Sequence, residues 1–158
     1  MYTTAYLWII NNAFVYGVGK GSVAEINRYG LGTTVKRAIR RAVNSAQRKS
    51  NFALNYLLLD AFKIPQMRGF PVKKDSRQLA IVKGDEKSFS IAAASIIAKV
   101  ERDLMMQELG SKRIYKKYGW MRNKGYGTLS HRKHILRYGN TPHHRIDFVN
   151  SFLENRSG

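Results

Sequence analysis

Residues 88–103 have the sequence SFSIAAASIIAKVERD, and this stretch decides how the rest of the chain is interpreted. Small and branched apolar residues fill most of it, which predicts a helix that other elements cover, extending to about Glu108. Three polar residues nevertheless recur at every fourth position, namely Ser95, Lys99 and Asp103. Because side chains four residues apart share one face of a helix, they are predicted to form a polar stripe.

The polar stripe has two interpretations. It can be a solvated edge, with Lys99 and Asp103 as an ion pair that contributes at most a few tenths of a kcal/mol. Alternatively it faces a functional site, because charges on so apolar a helix need partners or a metal ion. Arg102 lies beside the stripe and adds a cation to the same region.

Two further apolar segments predict neighbouring strands. NYLLLD, at residues 55–60, is a short solid apolar run of the kind that parallel sheets bury beneath helices on both faces. QLAIV, from Gln78, has the same character, so the two strands are expected side by side. AFVYGVGKGS, from Ala13, mixes apolar residues and glycines in a way that suits a third strand and its exit.

Helical patterns lie between and after these strands. From Thr33 apolar residues recur at helical spacing with basic residues between them, which predicts an amphipathic helix. Residues 1–11 can be the end of another helix, and shorter helices are predicted at 111–118 and 129–138. This order of elements indicates an α/β or mixed layered fold. Neither a linker nor a repeat divides the sequence, so one domain is expected over residues 1–158.

The charge of the chain points to a polyanionic partner. Lys and Arg total 28 against 10 Asp and Glu, a formal net charge of +18, which favours nucleic acid. The stretch from Leu109 to Ile146 contains no acidic residue, and the basic helical C-terminal part, about 109–158, is predicted to track phosphates. Its ten cations are Lys112, Arg113, Lys116, Lys117, Arg122, Lys124, Arg132, Lys133, Arg137 and Arg145.

Composition also excludes several classes of function. The chain has no cysteine, which removes disulfides, thiol nucleophiles and Cys-ligated metal centres, so any metal must be held by oxygen or imidazole. The four histidines have the irregular spacing of a weak zinc candidate. Apolar runs fall far short of the roughly 18 to 20 residues that span a membrane. No positive charge precedes Lys20 as a secretory signal requires, and a cytoplasmic location is expected.

Asp60 ends a solid apolar strand, and in open α/β sheets ligands gather beyond the carboxyl ends of strands. An Asp at a strand end also commonly caps a turn or helix, so this position alone leaves both interpretations open. If Asp60 and Asp103 face the same space, their carboxylates can hold a hard cation such as Mg²⁺ or Mn²⁺. In a basic protein, such a site predicts metal-assisted phosphodiester hydrolysis.

Five longer motifs are spread along the chain: SVAEIN at 22–27, LLLDAF at 57–62, SIAAASIIAKVERD at 90–103, YGWMRNKGYGT at 118–128 and GNTPHHRIDF at 139–148. In sequence, order and spacing they resemble one known family, the bacterial type 2 ribonuclease H, or ribonuclease HII. The resemblance implies a ribonuclease H-like mixed sheet flanked by helices with a helical C-terminal extension. It also implies metal-dependent cleavage of RNA in RNA/DNA hybrids and cleavage 5′ to ribonucleotides embedded in duplex DNA. It makes His131 and Arg145 organisers of the C-terminal helices.

The same resemblance assigns roles to single residues. Asp60 and Asp103 fall on two of the family's four metal-binding carboxylates, with Mn²⁺ or Mg²⁺ as the implied cofactor. Tyr126 falls on the tyrosine that stacks at the ribonucleotide sugar and reads the RNA–DNA junction. Its flanking glycines let a backbone approach a duplex closely. Ser95 and Lys99 are expected to meet substrate phosphate or to steady the site, and the family resemblance implies a monomer.

The 158 residues lack other motifs of the family. The family's first strand carries an Asp-Glu pair and a Gly-Arg-Gly turn, and an Asp-Ser-Lys motif follows, whereas the first acidic residue here is Glu25. Asp85 and Glu86 are adjacent but belong to a loop that the family also has, and they are not assigned as replacements. We therefore expect an N-terminally incomplete ribonuclease HII that lacks its first strands and cleaves little or nothing by itself.

Two alternatives remain open at this stage. A non-catalytic remnant would bind RNA/DNA duplexes without dependence on Mg²⁺ or Mn²⁺. A basic ribosome-associated RNA-binding protein would have no reason to keep carboxylates at both Asp60 and Asp103.

Overall fold

The computed structural model describes residues 2–50, 54–67, 70 and 77–154. The chain forms two compact units: unit 1 comprises Met1–Lys20 and Val35–Val100, and unit 2 comprises Gly21–Thr34 and Glu101–Gly158. The elements in chain order are α1 (Tyr2–Asn12), α2 (Val23–Tyr29), α3 (Leu31–Lys49), β1 (Leu57–Asp60), β2 (Gln78–Ile81), α4 (Gly84–Lys87), α5 (Phe89–Ser111), a 3₁₀ helix (Lys116–Tyr118), α6 (Trp120–Asn123), α7 (Leu129–Tyr138) and α8 (Ile146–Glu154).

The two predicted strands form a small parallel sheet in unit 1. Leu57 lies opposite Gln78, and Asp60 lies opposite Ile81, so both strands end at the same edge. The sheet confirms the expectation from NYLLLD and QLAIV, although each strand is four residues long. Mostly helical content around a small parallel sheet is the mixed architecture that the sequence predicts.

One face of the sheet contributes to the core of unit 1. Because strand side chains alternate between faces, Leu59 points into the core while Leu58 is exposed. The other members of the core come from α3 and from the segment after β1, and their burial removes apolar surface from water. The buried members are Val43, Leu59, Ile64, Met67 and Phe70.

A buried amide fastens the segment after β1 to β2. The Gln78 side chain is 1% exposed, and its Oε1 accepts from the Ile64 amide at 2.8 Å. Its Nε2 donates to the carbonyl oxygens of Ile64, at 2.9 Å, and of Phe70. A polar side chain can be buried here because each of its polar atoms has a partner.

The predicted strand at AFVYGVGKGS is wrong. Within the described part of the chain, no strand pairs with this segment, so its backbone groups form no ladder. Residues 13–20 instead lie against α3, where Gly17 and Gly19 pack directly on the helix backbone at Ala42 and Ala38. Side chains of α3 supply hydrogen-bond donors: Arg41 donates to the Lys20 carbonyl at 2.6 Å, and Lys49 donates to that of Tyr16 at 3.4 Å.

The helix predictions are confirmed for α3, α5 and α7. Helix α5 begins after Ser88, whose carbonyl accepts from the Ala92 amide, and continues to Ser111, slightly beyond the predicted end. Helix α7 spans residues 129–138 as predicted, and Thr128 caps its start. The single helix predicted at 111–118 is wrong: turns and a 3₁₀ helix occupy that stretch, since α5 ends there and the chain changes direction.

Two findings bear on domain organisation and membranes. Helices α3 and α5 each contribute to both compact units, and the single-domain expectation stays a prediction. Among the described helices, none combines the length and the apolar character needed to cross a bilayer.

Candidate active site

Asp60 lies at the carboxyl end of β1, where a backbone amide binds its carboxylate. Its Oδ1 accepts a hydrogen bond from the Gly84 amide at 2.9 Å, at the first residue of α4. A Cβ at Gly84 would lie 2.6 Å from Ile91 Cδ1, so the Ile91 side chain would have to shift, and 3.5 Å from the Asp60 Cα, an ordinary van der Waals contact. The capping interpretation of Asp60 is therefore confirmed for one carboxylate oxygen.

The remaining oxygen of Asp60 leaves room for a cation. Asp60 is exposed, and in the described part of the chain the Gly84 amide is the hydrogen-bond partner of its carboxylate. Oxygen donors of this kind suit Mg²⁺ or Mn²⁺, which take about six ligands. Among the described residues, no three acidic or histidine side chains group closely enough to hold a metal ion. The carboxylate of Asp60 fits the chemistry of the implied cation and by itself would supply only part of a ligand set.

Helix α5 carries the whole polar stripe. Ser95 is exposed, and its hydroxyl donates to the Ala92 carbonyl one turn earlier at 2.8 Å. Lys99 and Asp103 are half-buried, and Lys99 belongs to unit 1 whereas Asp103 belongs to unit 2. The Asp103 carboxylate lies 3.7 Å from a guanidinium nitrogen of Arg102. The role of the stripe at a site stays a prediction.

Arg102 connects two of the predicted site residues within unit 2. Its guanidinium carbon lies 4.4 Å from the centre of the Tyr126 ring, in a cation–π contact. The same guanidinium lies beside the Asp103 carboxylate. Since the Tyr126 side chain is half-exposed, one flank of its ring is held while surface remains for a ligand. The sequence placed Arg102 beside the stripe but gave no signal of its contact with Tyr126.

The two glycines around Tyr126 contribute in different ways. Gly125 has a φ of +75°, a conformation that L side chains rarely adopt, so another residue there would be strained. A Cβ at Gly127 would lie 2.5 Å from Phe148 Cζ, so the Phe148 ring would have to shift. Gly125 therefore sets the backbone conformation next to Tyr126, in addition to the access that the sequence predicts for both glycines.

Behind Tyr126 lies a buried network of aromatic rings that the sequence did not predict. Trp120 Nε1–H donates to His131 Nε2 at 3.0 Å, and His131 Nδ1 lies 2.9 Å from the Tyr126 carbonyl oxygen. His144 Nε2 lies 3.3 Å from His131 Nε2, and His144 Nδ1 accepts from the Thr141 amide at 2.9 Å. These partners assign the ring protons to Nδ1 of His131 and Nε2 of His144.

The network keeps both imidazoles neutral. Burial, and next the proximity of His131, lower the pKa of His144 from 6.5 to about 4. Burial also lowers the pKa of His131, although its hydrogen bond to the Tyr126 carbonyl opposes the shift. Trp120, His131 and His144 are each at most 4% exposed. The histidines thus serve the interior of unit 2, as the resemblance implies for His131.

Unit 2 presents its basic side chains to solvent. Nine of the ten cations between Leu109 and Ile146 are exposed, and Lys124 is half-buried. The aromatic residues among them divide by burial: Tyr118 and Trp120 are buried and stack with ring centres 5.3 Å apart, whereas Tyr126 is half-exposed. Stacking on a ligand is therefore open to Tyr126 and closed to the buried pair.

The fold places the chain among mixed helix–strand proteins with a small parallel sheet and a strand-end carboxylate. A sequence model of the family Ribonuclease HII matches residues 10–151. The chain belongs to the ribonuclease HII family.

Individual relatives agree with the family match. The chain is 41% identical over 146 residues to Ribonuclease HII of Caldanaerobacter subterraneus subsp. tengcongensis, covering 92% of this chain and 55% of the relative. It is 44% identical over 134 residues to that of Wolbachia sp. subsp. Brugia malayi, covering 85% and 60%. It is 41% identical over 145 residues to that of Clostridioides difficile, covering 92% and 52%. The chain thus spans between about half and two thirds of the length of these relatives.

Proposed function

We propose that this chain is an endoribonuclease of the ribonuclease HII type. It cleaves RNA in RNA/DNA hybrids and cleaves 5′ to ribonucleotides embedded in duplex DNA, by metal-assisted phosphodiester hydrolysis. The observation that carries the proposal is the contact of Arg102 with both the Tyr126 ring and the Asp103 carboxylate. One side chain thereby joins the residue proposed to read the ribonucleotide to a residue proposed to hold the metal.

Asp60 and Asp103 would hold Mn²⁺ or Mg²⁺ through carboxylate oxygens. A cation held there would supply the positive charge that activates water and neutralises the leaving oxygen of the phosphodiester. Asp60 can take part because the Gly84 amide engages only one of its oxygens and fixes the carboxylate at the strand end. Substrate phosphate and water would supply further oxygen ligands.

Tyr126 would read the sugar of the ribonucleotide by stacking and shape. Its half-exposed ring has the required surface, and Arg102 limits its movement from the other flank. Lys99 would meet substrate phosphate with its ammonium group. Ser95 could donate to a phosphate only by rotating its hydroxyl away from the Ala92 carbonyl, because a hydroxyl has one proton to donate.

The exposed cations of unit 2 would follow the phosphates of the duplex. Each neutralised phosphate releases counterions, so affinity should fall steeply as salt rises. A monomeric state, which the family resemblance implies, and a cytoplasmic location belong to the same proposal.

A second candidate is a non-catalytic binder of RNA/DNA duplexes. The observation that favours it is the lack, among the described residues, of a group of three metal-binding side chains. Such a protein would keep salt-sensitive affinity without any need for divalent cations.

Cleavage and binding of one labelled substrate separate the two candidates. The substrate is a DNA duplex with a single ribonucleotide, incubated with Mg²⁺ or Mn²⁺ and, in parallel, with EDTA. Cutting 5′ to the ribonucleotide that stops with EDTA supports the ribonuclease. Metal-independent binding without cutting supports the binder and contradicts the ribonuclease.

A further inference from the structure

The backbone of Tyr126 is held from both sides. Its amide donates to the Asn123 carbonyl at 2.8 Å. Its carbonyl oxygen accepts twice, from the Thr128 amide at 2.8 Å and from His131 Nδ1–H at 2.9 Å. His131 is the one side chain in this set, since the other donors and acceptors belong to the backbone. Its imidazole therefore adds a constraint on Tyr126 that depends on the identity of residue 131.

The imidazole of His131 is itself fixed. Its Nε2 accepts from Trp120 Nε1–H, and His144 Nε2 lies within hydrogen-bond distance of the same atom. The His131 main-chain amide donates to the Thr128 hydroxyl at 3.3 Å, within the cap of α7. A ring bonded at both nitrogens and 4% exposed has one orientation and one tautomer available. The imidazole therefore holds the Tyr126 carbonyl in a fixed position relative to the buried Trp120 and His144 rings.

We infer that His131 is a positioning residue for ribonucleotide recognition, acting through the Tyr126 carbonyl. The inference rests on the proposed function, because it requires Tyr126 to read the ribonucleotide sugar. Sugar reading by stacking depends on where the ring stands, and a fixed backbone limits that position before the duplex arrives. His131 touches neither substrate nor metal in this account.

Two substitutions separate positioning of Tyr126 from support of the interior. Asn places its amide nitrogen where the His131 Nδ1–H stands, so His131→Asn can still donate to the Tyr126 carbonyl. Gln reaches the position of Nε2, so His131→Gln can keep the contact with Trp120 but gives up the bond to Tyr126. Both variants remove the ring, and they therefore share the loss of aromatic packing.

The experiment compares the dissociation constants of two duplexes of equal sequence, one all-DNA and one with a single ribonucleotide. Ca²⁺ replaces Mg²⁺ so that the substrate stays intact, and thermal midpoints are recorded for every variant. Tyr126→Ala is expected to abolish the preference of the wild type for the ribonucleotide. His131→Gln is expected to reduce that preference by about tenfold, the effect of losing one hydrogen bond, whereas His131→Asn retains it. In the two His131 variants, affinity for all-DNA duplex should stay within about twofold, because phosphate contacts provide it.

Each other outcome contradicts a specific step. Equal losses of preference in both His131 variants, in proportion to their thermal midpoints, would overturn the inference in favour of a structural role. An unchanged preference in His131→Gln, while Tyr126→Ala loses it, would overturn the inference and leave the proposed function standing. If the wild type itself shows no preference, both the inference and the proposed reading of the ribonucleotide fail.

Discussion

Acidification should destabilise unit 2 through His144, with a sign and size that follow from its burial. The pKa of this imidazole is lowered from 6.5 to about 4, chiefly by burial, and the side chain is 4% exposed. Well above pH 6.5 it is neutral in both the folded and the unfolded chain, and its contribution to stability is complete. As the pH falls from 6.5 toward 4, residue His144 binds a proton in the unfolded chain but stays neutral in the folded chain, so stability is lost.

The magnitude follows from the difference between the two pKa values. At about 1.4 kcal/mol per pKa unit, the fall from 6.5 to about 4 corresponds to roughly 3 kcal/mol. At pH 4.5 most of this, roughly 2 to 3 kcal/mol, should already be lost. The lowered pKa of His131 acts in the same direction and adds to the effect.

Urea unfolding at pH 7.5 and pH 4.5 measures this loss. The chain has two tryptophans, so in a Trp8→Phe background the fluorescence of Trp120, which packs on the His144 ring at 5.2 Å, reports on unit 2. His144→Asn keeps an acceptor for the Thr141 amide but cannot titrate, and its stability should depend less on pH by roughly 2 to 3 kcal/mol. His143→Asn removes the exposed neighbouring imidazole and serves as the control. An unchanged pH dependence in His144→Asn would refute the reasoning.

Two further predictions concern packing and recognition. Gly19→Ala should lower the free energy of unfolding by about 1 to 3 kcal/mol, because its Cβ would overlap the Ala38 carbonyl of α3. Gly32 lies in α3, and a Cβ there would meet nothing within 4 Å, so Gly32→Ala should not lower the free energy of unfolding. Equal urea midpoints for the two variants would contradict this packing. Arg102→Lys keeps the charge but loses the planar contact with Tyr126, so preference for a ribonucleotide-containing duplex should fall several-fold in a binding assay while all-DNA affinity is retained. An unchanged preference would show that the contact does not serve recognition.

The elements predicted correctly are those whose residues carry the pattern locally. The amphipathic spacing of α3, the apolar length of α5 and the solid runs of β1 and β2 are properties of consecutive residues. The strand predicted from Ala13 was wrong because a strand needs a neighbouring strand to pair with, and a local sequence pattern does not show whether one is present. Gly17 and Gly19 in this segment instead allow close packing on the backbone of α3.

The candidate site divides in the same way. Asp60 could be singled out because it ends a strand, and Tyr126 because glycines flank it within a longer motif. The contact of Arg102 with Tyr126 joins residues that are far apart in the sequence, so no local sequence pattern predicts it. The bond from His131 to the Tyr126 carbonyl depends on the turn into α7 and on the burial of three rings. Such contacts become visible only in the folded chain.

Titration of the chain with Mn²⁺, followed by the electron paramagnetic resonance of the free ion, tests most directly the proposal that Asp60 is a metal ligand. Asp60→Asn keeps an oxygen that can accept from the Gly84 amide, so the strand end should stay in place. Asp85→Asn removes an exposed carboxylate from the first turn of α4 and is the matched control. If Asp60 is a metal ligand, Asp60→Asn weakens Mn²⁺ binding at least about tenfold while Asp85→Asn leaves it unchanged. Equal Mn²⁺ affinity in the wild type and in Asp60→Asn would contradict it.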